Sequence, residues 1–172
     1  MRTVTFGVAC SLDGFIAREH HGVDWLHWSD DVSAIMKDFW KTIDTVVMGR
    51  KTYEVALGMG TGAYPGVRNY VFSRTLKDVG EGTELVREDA ADFVRRLKEE
   101  PGKGICVMGG GELARSLFEG AVVDEVGVNI HPVLLGTGIP LFPPTSRQTD
   151  LELAECRTLD GGCVYALYRV KR

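Results

Sequence analysis

A chain of 172 residues has room for one domain with a substantial core, and 44% hydrophobic with 26% charged residues is the make-up of a globular protein in water. The net charge of -4 excludes a sequence-independent nucleic-acid surface, which needs a basic excess, and leaves room only for a local basic patch. No apolar run approaches the roughly 18 residues of a membrane span, and residues 3–9 read directly as a strand, so a cytoplasmic protein without membrane or nucleic-acid partners is expected.

That first strand is followed by a turn at Ser11-Leu12-Asp13-Gly14 and a short apolar piece, Phe15-Ile16-Ala17. A polar loop with Trp25 and Trp28 comes next. Val32, Ile35, Met36, Phe39, Trp40 and Ile43 then recur at helical spacing, with Ser29, Asp30 or Asp31 available as the N-cap. A strand over residues 45–48 leads into a helix kept short by Gly58, Gly60 and Gly62. The strand Arg68–Phe72 ends at Ser73-Arg74-Thr75, and Glu84–Val86 precedes a helix capped by Asp89 and stopped by Pro101-Gly102. Strand and helix alternate once more through residues 104–108 and 111–118. After that the pattern changes: a long strand over 122–130, a Gly/Pro-punctuated loop over 132–142, and a pairing of 151–159 with 164–170 across Asp160-Gly161-Gly162. The expectation is one α/β domain over 1–172, a mainly parallel sheet with an antiparallel C-terminal hairpin at one edge.

Two strand-to-helix junctions carry the chemistry. In Val46-Val47-Met48-Gly49-Arg50-Lys51-Thr52 and in Ile105-Cys106-Val107-Met108-Gly109-Gly110-Gly111-Glu112-Leu113, an apolar run stops at glycine and a helical pattern follows. The first N–H groups of such helices lack partners, and glycine sets no side chain in the way of an anion. Two cradles suit a ligand with separated phosphates, of which a dinucleotide is the commonest. The later glycines also fit G-x-G-x-x-A, but that fingerprint normally opens its domain, and close helix–sheet packing explains the same glycines. Arg50, Lys51 and Thr52 bring two cations and a hydroxyl to the first junction, and Ser73 and Arg74 follow the next strand. Two arginines bind a phosphomonoester far better than a neutral ribose, which points to NADPH; Arg74 reads equally as an exposed loop arginine.

Cys10, Cys106, Cys156 and Cys163 show no C-x-x-C spacing and read as buried, reduced thiols, while His20, His21, His27 and His131 form no ligand set, so no metal is expected.

The order Leu12-Asp13-Gly14-Phe15-Ile16-Ala17, Val47-Met48-Gly49-Arg50-Lys51-Thr52-Tyr53-Glu54, Asn69-Tyr70-Val71-Phe72-Ser73-Arg74, Val107-Met108-Gly109-Gly110-Gly111 resembles the dihydrofolate reductase superfamily. Val123-Asp124-Glu125-Val126 and His131-Pro132-Val133-Leu134-Leu135-Gly136-Thr137-Gly138-Ile139-Pro140-Leu141-Phe142 look more like the RibD C-terminal reductase domain of riboflavin synthesis. The resemblance implies a dihydrofolate reductase-like α/β fold with helices on both faces of the sheet. It implies that Ala9, Ile16 and Ala17 line the nicotinamide, residues 14–17 belonging to a loop over the site. Gly49, Arg50, Lys51 and Thr52 would hold phosphates, Ser73 and Arg74 the adenosine 2′-phosphate, and Gly109, Gly110, Gly111, Glu112 and Leu113 the pyrophosphate. Folate reductases grip the pterin with a carboxylate on the first helix. Asp30 is the nearest candidate, although counting back from Gly49 points nearer Ser33, and Asp30 or Asp31 reads also as a cap. Trp25 and Trp28 either stack on a substrate ring or pack on the helix.

The implied activity is NADPH-dependent hydride transfer to a C=N or C=O of a small heteroaromatic or ribosylamino-pyrimidine molecule, similar to 5-amino-6-(5-phosphoribosylamino)uracil reductase. A dihydrofolate reductase and a non-catalytic NADP-binding module are the alternatives. The apolar C-terminal half is the expected homodimer surface.

Overall fold

The computed structural model describes residues 1–172. Its centre is β1 (Val4–Ser11), which runs parallel to β6 (Gly104–Met108) on one side and to β7 (Glu125–His131) on the other. Beyond β6 lie β3 (Ile43–Gly49), β4 (Arg68–Phe72) and β5 (Glu84–Val86), all parallel; beyond β7 lie β10 (Val164–Val170) and the edge strand β9 (Leu151–Thr158). β10 is antiparallel to both of its neighbours, so it alone runs against the rest. Val46, Val47 and Met48 have no exposed surface, as a parallel strand covered on both faces requires.

The two faces carry different helices. Val4, Phe6, Cys10, Val47 and Val107 pack with α3 (Ala90–Glu99) and α4 (Gly111–Glu119) in the larger core. The alternate residues Val46, Met48, Val71 and Cys106 pack under α1 (Asp30–Lys41) and α2 (Arg50–Gly58), through Phe39, Trp40 and Tyr53. Ser29 is the α1 cap, its hydroxyl accepting from the Val32 N–H, and the Asp31 carboxylate accepts from the same N–H at 2.9 Å. Asp89 caps α3 as its sequence position predicts.

Three expectations are corrected. Phe15–Ala17 leaves the main sheet as β2 and pairs antiparallel with β8 (Ile139–Pro140), which forms inside the Gly/Pro loop. The strand expected from residue 122 begins at Glu125, because the exit from α4 consumes the preceding residues: Ala121 has φ 53° and the Val122 N–H bonds back to the Leu117 carbonyl at 3.1 Å. The Asp160–Gly162 turn joins β9 to β10 as expected, as a short 3₁₀ segment closed by a Leu159 N–H to Cys163 carbonyl bond of 2.8 Å. Cys156 is exposed on β9, so only Cys10, Cys106 and Cys163 are buried.

The amino ends of β1 and β7 are tied by charge. Lys98, 5% exposed, donates to Asp124 at 2.6 Å and to the Val122 carbonyl at 3.1 Å, and Asp124 also accepts from the Val4 N–H at 2.9 Å. Removing the carboxylate strands a buried ammonium and a strand N–H together. Asp124→Ala is expected to lower the unfolding free energy by about 3 kcal/mol, read from urea denaturation at constant m-value.

Candidate active site

Parallel strands send all their carboxyl ends to one edge, and β3 and β6 are neighbours there, with Met48 aligned to Met108. Each runs straight into a helix whose N-cap is glycine: Gly49 for α2 and Gly110 for α4, neither supplying a side-chain cap. The first-turn N–H groups of both helices therefore open side by side. A Cβ placed on Gly110 would lie 3.8 Å from the Gly49 nitrogen and 3.4 Å from Thr52 Oγ1, so the two junctions touch. Gly110 has φ 84° and Gly109 φ 57°, conformations that glycine adopts without strain.

Helix α2 has no acidic residue in its first turn and instead carries Arg50 and Lys51, although the dipole there favours negative charge. An anion between the helix ends would relieve that conflict. Arg50 reaches across to the β4 junction, donating to Thr75 Oγ1 at 2.6 Å and to Glu54 at 2.7 Å. Ser73 Oγ accepts from the Leu76 N–H at 3.0 Å, and Arg87 donates to the Leu76 carbonyl at 2.6 Å, which braces the loop. Arg74 stands exposed within this braced loop, in no ion pair.

One cavity of about 1100 Å³ joins these parts, above the roughly 300–1,000 Å³ typical of a single small-molecule site. Ala9, Ile16 and Ala17 line it, as do Gly49, Arg50, Lys51, Thr52, Ser73, Arg74, Gly109, Gly110, Gly111, Glu112 and Leu113. The β2–β8 ribbon forms one wall through Ile16, Ala17, Ile139 and Pro140. It is tethered to β1 by Asp13, which accepts from the Leu135 and Gly136 N–H groups at 3.1 and 2.8 Å. The Ser11 hydroxyl, followed by those backbone bonds, holds the Asp13 carboxyl below its usual range.

Trp25 and Asp30 do not line the cavity. Trp25 packs edge-on against His131 with centroids 5.4 Å apart, and Asp30 is an exposed first-turn residue of α1. Trp28 lines the cavity instead, and α1 presents Val32, Ile35, Met36 and Phe39 to it, with no carboxylate. Cys106 also lines it, but burial pushes its thiol up to about 12, which removes it as a nucleophile.

Gly7, Gly127, Asn129 and Tyr165 also line the cavity, and sequence reasoning missed them. The available signal was a glycine inside each of two apolar strands, which marks a close approach of something to the backbone. Behind Asn129 sits His131, 2% exposed, with a pKa lowered by burial and then by His27. Its Nδ1 accepts from the His27 N–H at 3.3 Å, so the neutral ring carries its proton on Nε2, 3.3 Å from the Asn129 amide. Only an amide oxygen accepts that proton, so the Asn129 amide is assigned with its oxygen in the place of the Nδ2 that faces Nε2, and its NH₂ group then takes the buried Oδ1 position, which has no protein partner. Because the unfolded histidine binds its proton at higher pH than the folded one, this stability is complete above about pH 6.5 and falls as pH drops below it. Urea unfolding across that range is expected to show a steeper acid loss for the wild type than for His131→Gln.

The residues match the RibD C-terminal domain model over 2–165. The chain belongs to the RibD C-terminal domain family. It is 37% identical over 155 residues to the protein YwjB of Bacillus subtilis (strain 168), 88% of each chain being covered. A crystal structure described as a putative riboflavin biosynthesis protein from Shewanella sp. PV-4 matches all of both chains with a TM-score of 0.82 and 26% identity. Dihydrofolate reductase from Enterococcus faecalis, solved with NADP(H), matches with a TM-score of 0.75 and 19% identity, over 99% of this chain and 97% of that one. This RibD C-terminal domain has the dihydrofolate reductase-like fold. No helix of it is long and apolar enough to cross a membrane.

Proposed function

We propose that the chain is an NADPH-dependent reductase that passes a hydride to the C=N or C=O of a small heteroaromatic molecule. The observation that carries the reading is the convergence of two uncapped helix N-termini and the unpaired Arg74 on a single cavity. The residues fit a dinucleotide, since the space that side chains at Gly109 and Gly110 would fill is left free beside Thr52 and the Gly49 N–H. NADPH, when bound, supplies the hydride.

The protein's share is binding and orientation. First-turn N–H groups of α2 and α4, with Lys51 and Thr52, hold the pyrophosphate; Ser73 and Arg74 take the 2′-phosphate; the β2–β8 ribbon shields the small residues Ala9 and Ala17 from water. The apolar face that α1 turns to the cavity disfavours a pterin gripped by a helix carboxylate. Oxidation of NADPH by an uncharged planar acceptor, followed at the absorbance of the reduced nicotinamide, tests the reading. Tight NADPH binding with no oxidation by any pterin, pyrimidine or quinone would instead make the chain a nucleotide-binding module.

A further inference from the structure

With the cofactor phosphates assigned to the β3, β4 and β6 junctions, the rest of the cavity is a slot between the sheet and α1. Its floor is bare backbone at Gly7 and, beside it, Gly127 under the Tyr165 ring. Gly7 of β1 is aligned with Gly127 of β7, and a Cβ on Gly7 would meet nothing within 4 Å. One step along the strands, Ala9 is aligned with Asn129, and Asn129 with Tyr165 of β10. The Tyr165 hydroxyl overhangs Gly127, 3.4 Å from where its Cβ would be. The roof is the apolar face of α1, Val32, Ile35, Met36 and Phe39. The missing side chain at Gly7 and the Tyr165 ring over Gly127 leave a low surface, and such a surface against an apolar roof suits a planar ring.

Lysine and arginine are absent from this slot, and Glu19 and His21 of the loop between β2 and α1 line the same cavity. The four basic residues that line the cavity with lysine or arginine side chains, Arg50, Lys51, Arg74 and Arg87, all follow the carboxyl ends of β3, β4 and β5. A phosphate arm on the substrate would find no such side chain on β1, β7, β10 or α1. What the slot does offer is the Asn129 amide: with its oxygen turned toward the His131 Nε2 proton, its NH₂ group takes the buried position that has no protein partner. A buried donor left unpaired costs about 1–3 kcal/mol, which a ligand carbonyl would recover.

We propose that the slot binds an uncharged planar ring bearing a carbonyl and no phosphate, with Asn129 as the donor to that carbonyl and Gly7 and Gly127 as its floor. The assignment rests on the reductase reading for which molecule occupies the other half of the cavity. It makes Asn129 a specificity-determining residue, and it separates this chain from reductases of phosphoribosylated pyrimidines.

The test is calorimetric titration of the NADP⁺-loaded protein with lumazine, at a pH where that pteridine-dione is neutral, and with uridine and uridine 5′-monophosphate. Lumazine is expected to bind, about 10-fold more weakly to Asn129→Leu, as loss of one buried hydrogen bond predicts. Gly7→Val, whose Cβ would meet no protein atom within 4 Å, is expected to abolish lumazine binding while leaving NADPH affinity and the melting temperature close to wild type. The monophosphate is expected to bind no better than uridine. A monophosphate at least about 10-fold tighter than uridine, absence of lumazine binding to the wild type, or lumazine affinity unmoved by both substitutions would overturn the proposal. Lumazine binding to a protein that does not bind NADPH would sink the reductase reading and leave the slot standing.

Discussion

Arg74→Ala is expected to weaken NADPH binding by about 10- to 100-fold while changing NADH affinity less than about 2-fold. Charge-assisted hydrogen bonds contribute about 1.5–3 kcal/mol, and 1.4 kcal/mol is a factor of ten in affinity. The only chemical difference between the two cofactors is the 2′-phosphate. Arg74 is the cation best placed to read it, because Arg50 is already committed to Glu54 and Thr75 whereas Arg74 has no ion-pair partner. Arg74→Lys should recover part of the difference, since a point charge replaces a bidentate fork. Fluorescence titration with each cofactor gives the two ratios. Equal losses for NADPH and NADH would remove Arg74 from the 2′-phosphate site, and no loss for either would make it an ordinary surface residue.

Gly110→Val is expected to abolish binding of both cofactors, with affinity falling by more than about 100-fold. The added Cβ would stand 3.4 Å from Thr52 Oγ1 and 3.8 Å from the Gly49 nitrogen, in the gap between the two helix ends. A β-branched residue at φ 84° is also strained, by about 1–3 kcal/mol, so the variant should melt earlier than wild type. Gly136→Ala separates the two effects. Gly136 has φ 77°, nothing within 4 Å of its Cβ, and a place outside the cavity lining, so it should show the strain without loss of cofactor. If Gly110→Val bound NADPH normally, the pyrophosphate would have to lie elsewhere.

The two glycine-capped junctions on the cavity were legible because their determinants are local. A glycine N-cap, the strand before it and the cations after it lie within about ten residues of one another, and parallel-strand logic places such junctions on one edge. The substrate half was not. Asp30 and Trp25 were read from a loop whose course depends on contacts far away, such as the Asp160 N–H donating to Asp31 at 2.7 Å and the His131 ring against Trp25. Ser29 and Asp31 satisfy the start of α1, which leaves Asp30 facing solvent rather than the cavity.

The order of strands and helices, the capped starts of α1 and α3 and the two glycine-capped strand-to-helix junctions are written in stretches of a few residues, where backbone preference and hydrophobic period act. The pairing of β2 with β8, the floor made by Gly7 beside the Tyr165-covered Gly127, and the contact of Asn129 with a buried His131 exist only once β1, β7 and β10 are aligned. Local propensity carries no information about which residue of a distant strand will be the neighbour. Register between strands, set by burial over the whole sheet, decides that.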